Sequence, residues 1–317
     1  MYSCPKNMFI IYVLNCLLFL LLFQNIISLE KEDEYFNLPD EYDLRKEYKE
    51  CESLRDIRDQ GSICGGCWAF ATAEVISDRI CVDSGGKKQV NISANELLTC
   101  CDFCFNFSDT KRGCGGGNAL FHLLGFEYIY WIKNGLPDVS CKPFHFYKEY
   151  NESNLKCSDK CDDGSDPIKY YGSDYKLINK NETAIMNEIY HYGSVRATFS
   201  VYDDFVDFFW FNEKGIYELN PEYKKGNHTG HSIKIIGWGV DNKNGREVKY
   251  WRCANSWGRD WGDNGFFKIK RGVNECGIES HVTAPYISQR FLYRTKESMV
   301  VYEDNFYNFK NFKDDFM

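Results

Sequence analysis

Eleven of the chain's 15 cysteines crowd into residues 51–161. In the cytosol such thiols stay reduced. An oxidising compartment turns them into cross-links that any fold of this chain must accommodate. The N-terminus points to that compartment. Lys6 is the only charge in residues 1–28, and it precedes a 16-residue apolar run, Met8–Phe23. A membrane span needs about 20 such residues. A basic start and a short apolar core therefore read as a secretory signal peptide over residues 1–28. Ile26-Ile27-Ser28 is a poor cleavage site, so an uncleaved anchor stands as the alternative. No later segment is apolar enough to span a bilayer, which predicts no membrane association after signal cleavage.

Hydrophobic residues make up 44% of the chain, enough for a sizeable core. A formal charge of −8 argues against nucleic acid as a partner. After a short acidic leader, 29–37, residues 38–285 read as one globular unit without internal repeats. The segment following Cys67 carries apolar residues at Ala71, Val75, Ile76 and Ile80, a spacing that predicts a buried helix ended by Gly85-Gly86. Val195–Val201, His231–Val240 and Lys249–Ala254 read as strands. A helical, cysteine-rich half thus precedes a β-rich half, an α+β arrangement. Residues 286–317 lack Gly and Cys and read as a surface strap or disordered tail.

The sharpest chemical signal is Asp59-Gln60-Gly61-Ser62-Ile63-Cys64-Gly65-Gly66-Cys67-Trp68-Ala69-Phe70. A cysteine at a helix start meets unpaired backbone N–H groups and the positive dipole end. Both stabilise the thiolate, the nucleophilic form. Cys64 and Cys67 also form a C-x-x-C pair, so a redox or zinc site is the competing reading. A nucleophilic cysteine needs a base, and His231 stands out among six histidines because it opens a buried strand. Asn255, between Trp251 and Trp257, is the candidate to fix the imidazole's tautomer. Each residue alone is weak. The chain order Cys, His, Asn makes the set stronger.

These residues resemble the papain-type cysteine proteases, and the detail resembles the cathepsin B-like branch. QGSICGGCWAF, HSIKIIGWG and ANSWGRDWGDNGFFKI carry the likeness, with LPDEYDLR, AEVISDRIC, SANELLTCC and RGVNECGIES along 38–285. The resemblance implies a left helical half, about 51–165, and a right β-barrel-like half, about 166–285 with the strap 38–50. The active-site cleft would lie between them. Cys67 would be nucleophile, His231 general base and acid, and Asn255 the orienter. Gln60 would join the Cys67 N–H in an oxyanion hole. Trp257 would shield the Asn255–His231 bond and line the leaving-group side. Gly116 and Gly117 would pair with substrate backbone. The implied disulfides are Cys51–Cys81, Cys64–Cys114, Cys100–Cys157, Cys101–Cys104 and Cys141–Cys161, leaving Cys67, Cys253 and Cys276 free. No metal and no cofactor is expected. Partners would be peptide and protein substrates and cystatin-like inhibitors, acting on a monomer.

The chain departs from that family in four places. Six residues separate Gln60 from Cys67, one more than usual, with Ile63 the apparent insertion, and Gly66 replaces a Ser or Ala. The interval after Cys141 holds a lone His145 where the branch carries an occluding loop with paired histidines. An open cleft and endopeptidase behaviour follow. His281 stands where the branch often has a glutamate at the floor of the main specificity pocket, which predicts apolar rather than Arg preference. The leader 29–37 is far shorter than the family's pro-region. Asn91, Asn106, Asn151, Asn181 and Asn227 are glycosylation sequons consistent with an extracellular or lysosomal destination. The competing class is a catalytically weak papain-fold binding or matrix protein.

Overall fold

A helix can be buried on every face only if it is surrounded by structure. The segment Cys67–Asp83 is such a helix, with residues 68–82 all buried. The apolar stripe read from the sequence is therefore only part of its buried surface. Two of its inward charged groups are paired: Asp78 with Lys234 at 3.1 Å and Arg79 with Glu188 at 3.0 Å. Thr72 and Ser77 return their hydroxyls to carbonyls four residues back, at 2.8 and 2.7 Å.

The computed structural model describes residues 38–104, 113–116, 124–145, 156–178, 180–243 and 245–287. The expected signal and leader, Gly117, Asn106, Asn151, most of the interval between Cys141 and Cys157, and the tail beyond residue 287 lie outside those residues.

The helices, in chain order, are α1 (Leu44–Glu47), α2 (Cys67–Asp83), α3 (Ala94–Cys100), α4 (Phe126–Asn134), α5 (Glu182–Tyr192) and α6 (Asp203–Phe211). The strands are β1 (Tyr42–Asp43), β2 (Gly172–Ile178), β3 (Val195–Tyr202), β4 (Ile216–Tyr217), β5 (His228–Lys243), β6 (Arg246–Ala254), β7 (Phe266–Lys270) and β8 (Val282–Ile287). The fold is α+β. Among the described residues the eight strands form one sheet in the order β2-β8-β3-β5-β6-β7-β4, with β1 added to β5. This sheet is open, which corrects the barrel-like right half expected from the resemblance. The strand runs read from sequence fall inside β3, β5 and β6. Tyr286 and Ile287 belong to β8 rather than to a tail.

Apolar side chains segregate into two main clusters. One draws on α2, α3 and α4, including Trp68, Phe70, Leu97 and Trp131. The other sits on the sheet, with Phe199, Ile235, Trp238, Trp251 and Phe267. The strap from Leu38 runs onto the sheet, where Trp238 Nε1 donates to the Pro39 carbonyl at 2.9 Å. At Gly237 a Cβ would stand 2.1 Å from the Tyr42 carbonyl oxygen, so the pairing of β1 on β5 requires glycine there. The structure pairs Cys51 with Cys81, Cys64 with Cys114, Cys100 with Cys157, Cys101 with Cys104 and Cys141 with Cys161.

Candidate active site

Cys67 is the first residue of α2. The preceding Gly66 offers no side-chain cap, so the first backbone N–H groups of the helix remain open for other partners. The thiol is free and half-buried. Burial pushes its pKa up. The backbone N–H groups of Ser232 and Trp68, the charge of Arg196 and its own N–H oppose that rise. The Ser232 contact is informative, because Ser232 follows His231 in β5. It sets the sulfur at the helix start near the strand residue that follows the imidazole.

His231 is buried, opposite Phe199 in the sheet. Its Nε2 lies 2.8 Å from Asn255 Oδ1. The same Oδ1 accepts from the Ser256 backbone N–H at 2.8 Å. A backbone N–H only donates, so Oδ1 must be an acceptor and Nε2 carries the proton. Nδ1 is left as the basic nitrogen. Burial holds the imidazole down at about 4, with the Asn255 bond pulling the other way. The Trp257 ring lies over the imidazole at 4.7 Å between centroids.

Gln60 is buried and held at three points. Its backbone N–H donates to the Ser256 carbonyl at 2.9 Å, and its Oε1 accepts from Ser256 Oγ at 2.7 Å. Its Nε2 donates to the Cys64 carbonyl at 2.8 Å, which uses one of the two amide protons. Cys64 is fixed in turn by its disulfide and by the Gly65 N–H bond to the Cys114 carbonyl at 2.7 Å. With both ends anchored, the extra length is taken up by residues 61–63, and Ile63 projects outward, 43% exposed. This segment and Trp257 line a groove of about 780 Å³.

Gly65 and Gly116 cross at close range. A Cβ on Gly65 would meet the Gly116 nitrogen at 2.8 Å, whereas one on Gly116 would meet nothing within 4 Å. Gly116 thus offers bare backbone to the open side. His281 is exposed, and its carbonyl accepts from the Thr198 N–H at 3.1 Å. Partial desolvation holds its imidazole below the usual range. His145 is exposed and bonds Asp162 at 2.8 Å. Cys253 is buried in β6 and Cys276 is half-buried, both unpaired. Asn91, Asn181 and Asn227 are exposed.

Ser232 and Ser256 carry no motif signal of their own in the sequence. Ser256 stands beside Asn255 in the ANSW run, so its neighbourhood is a usable signal. A backbone donor such as Ser232 N–H leaves no side-chain signature.

The sequence profile described as papain family cysteine protease matches residues 38–286. The chain is 37% identical over 277 residues to the cathepsin B-like cysteine proteinase 6 of Caenorhabditis elegans, covering 79% of this chain and 67% of that one. It is 35% identical over 284 residues to a cathepsin B-like cysteine proteinase of Schistosoma japonicum, covering 82% and 76%. Among solved structures, procathepsin B S9 from Trypanosoma congolense superposes with a TM-score of 0.67 at 35% identity, covering 80% of this chain and 79% of that one.

Proposed function

This chain belongs to the papain family of cysteine proteases, and we propose that it is an exported endopeptidase whose nucleophile is Cys67. The observation that carries this reading is the free thiol at the start of α2, whose thiolate is favoured by the backbone N–H next to His231, with Asn255 holding that histidine's Nε2. His231 Nδ1 takes the thiol proton, and the sulfur attacks the peptide carbonyl. The negative oxygen is met by the Cys67 N–H and the remaining Gln60 amide proton. His231 then returns the proton to the leaving amine, and a thioester forms. Water, activated by the same imidazole, releases the acid and restores the thiol.

Substrate would lie extended along Gly116 and Gly117, with Trp257 on the leaving-group side. An exposed His281 supports an apolar or aromatic preference at the main specificity pocket, since imidazole does not pair with Arg. His145, tied to Asp162, supports an open cleft and internal cleavage. Cystatin-like inhibitors would block the same cleft. The basic-then-apolar N-terminus and five disulfides support export to the lysosome or the cell exterior. No described helix is long and apolar enough to cross a membrane.

A peptidyl epoxide should alkylate the native protein at Cys67 and leave Cys67→Ala unlabelled. A peptide library cut between pH 4 and 8 should show internal cleavage and little Arg at the specificity pocket. Labelling equal in the two proteins would end the proposal.

A further inference from the structure

The helix α6 reads DDFVDFFWF. Phe205 and Phe209, four residues apart, face inward, and the phenyl rings pack on Trp261 at 5.7 and 5.1 Å. This packing fixes how the helix is rotated. Val206 and Trp210 lie one position further round and are 44% and 76% exposed, and Phe211 is 80% exposed. Adjacent bare aromatics on a rigid helix are uncommon on a soluble surface and mark a contact site. Asp203 and Asp207 flank them, and neither has an ion-pair partner among the described residues. Asp204, by contrast, is engaged by the Tyr217 hydroxyl and the Asn220 N–H.

This surface adjoins the candidate active site. His231 stacks against Trp257 at 4.7 Å, Trp257 meets Trp261 at 5.1 Å, and Phe205 meets Trp257 at 6.1 Å. Trp257 also lines the groove beside Ile63. From the imidazole to α6 is roughly three to four residues of extended peptide, and Trp210 lies one helical turn beyond Val206.

We propose that α6 and Ile63 extend the leaving-group side of the cleft, where they take a substrate segment of aromatic or aliphatic residues interspersed with Lys or Arg. The aromatic helix end supplies apolar contact without ordering cost, because its buried face already holds it. The two unpaired carboxylates favour the basic residues. A substrate segment is the occupant because the helix joins the catalytic histidine through the Phe205–Trp257–His231 ring contacts, and its charge is opposite to that of a basic peptide. This inference rests on the protease reading above.

Internally quenched peptides sharing one acyl-side half, with leaving-side halves of two or six residues, test it. In the native protein, kcat/KM for a six-residue half containing Trp and Lys should exceed that for a Gly/Ser half about tenfold, mainly through KM. In Trp210→Ala/Phe211→Ala that ratio should fall to near one. Asp203→Asn/Asp207→Asn should lose the Lys preference and its salt dependence, and keep the Trp preference. The replaced side chains are exposed, and near-UV circular dichroism checks that the variants fold. A ratio unchanged in Trp210→Ala/Phe211→Ala overturns the inference. So does a dimer that this variant converts to monomer without altering the ratio, since the occupant is then a second copy. If no peptide is cut and no epoxide labels Cys67, the protease reading fails instead. Fluorescence anisotropy of the same peptides on the Cys67→Ala protein then decides the surface by itself.

Discussion

At Cys67 and His231 burial opposes the chemistry. It pushes the thiol up and holds the imidazole at about 4, so each group taken alone is neutral. The working site needs one proton shared between them, whichever atom carries it, and the pair titrates as a unit. A second proton adds at the imidazole, so kcat/KM should rise with pH through about 4 or slightly below. The last proton leaves a thiol raised above its usual range, so the alkaline limb should lie above the ordinary thiol value. A pH–rate profile checks both, and an acid limb near a free histidine's value, about 6.5, would contradict the burial argument. Asn255→Ala removes the acceptor that selects the tautomer. It should lower kcat roughly 10²-fold through misorientation and leave peptide binding nearly intact. Gln60→Ala should cost on the order of 10²-fold in kcat, read in single-turnover assays, if its second amide proton serves the oxyanion. Cys67, His231, Asn255 and Gln60 can be singled out in the sequence because each sits in a run of unusual composition. Glu74 cannot, since in its helix it reads as an ordinary surface charge and only the packing buries it.

Elements were legible where one period dominated. β5 announced itself through an apolar run, and α2 through its start and its glycine stop. The openness of the sheet was not legible, because closure depends on how far strands coil and not on local pattern. Nor did the sequence show how the extra residue before Cys67 is absorbed, which depends on the disulfide partner 50 residues away. Helix α5 carries the clearest test at this scale. Asn181 caps it, with Oδ1 accepting from the Ala184 N–H at 2.9 Å. The cap uses the amide oxygen, and a glycan would use the amide nitrogen, so the two roles are compatible. Asn181→Asp should abolish glycosylation and keep the cap. Asn181→Ala should lose both and lower stability by about 1 kcal/mol, measured in denaturant on deglycosylated protein.

For the whole molecule, two buried groups in and behind the cleft set opposing pH limits. Glu74 lies in α2, facing Lys234 and Arg58 as well as the carboxylates Asp56 and Asp78. Burial outweighs the cations and raises its pKa to about 7, and its Oε1 has no hydrogen-bond partner. The fold therefore prefers this carboxyl protonated. Its contribution is complete below the unfolded value, about 4.5, and is lost as pH rises through about 7. His231 acts in the opposite sense. Its folded value of about 4 lies below the unfolded 6.5, so the fold prefers it neutral and loses stability as pH falls between those values. Each shift corresponds to a few kcal/mol at its far limit. The two slopes nearly cancel between about 4.5 and 6.5, so the unfolding temperature should show a shallow maximum near pH 5 to 6 and fall by only about one or two degrees towards pH 8. Glu74→Gln keeps the shape and removes the charge. In that variant the His231 slope is no longer offset, so the unfolding temperature should rise from pH 4 to about 6.5 and then level off, as measured by thermal unfolding between pH 4 and 8. A Glu74→Gln profile as flat between about pH 4.5 and 6.5 as the native one would assign the effect to some other group. The mildly acidic optimum would place the greatest stability in the same range in which one proton is shared between Cys67 and His231, so fold and chemistry would favour the same compartment.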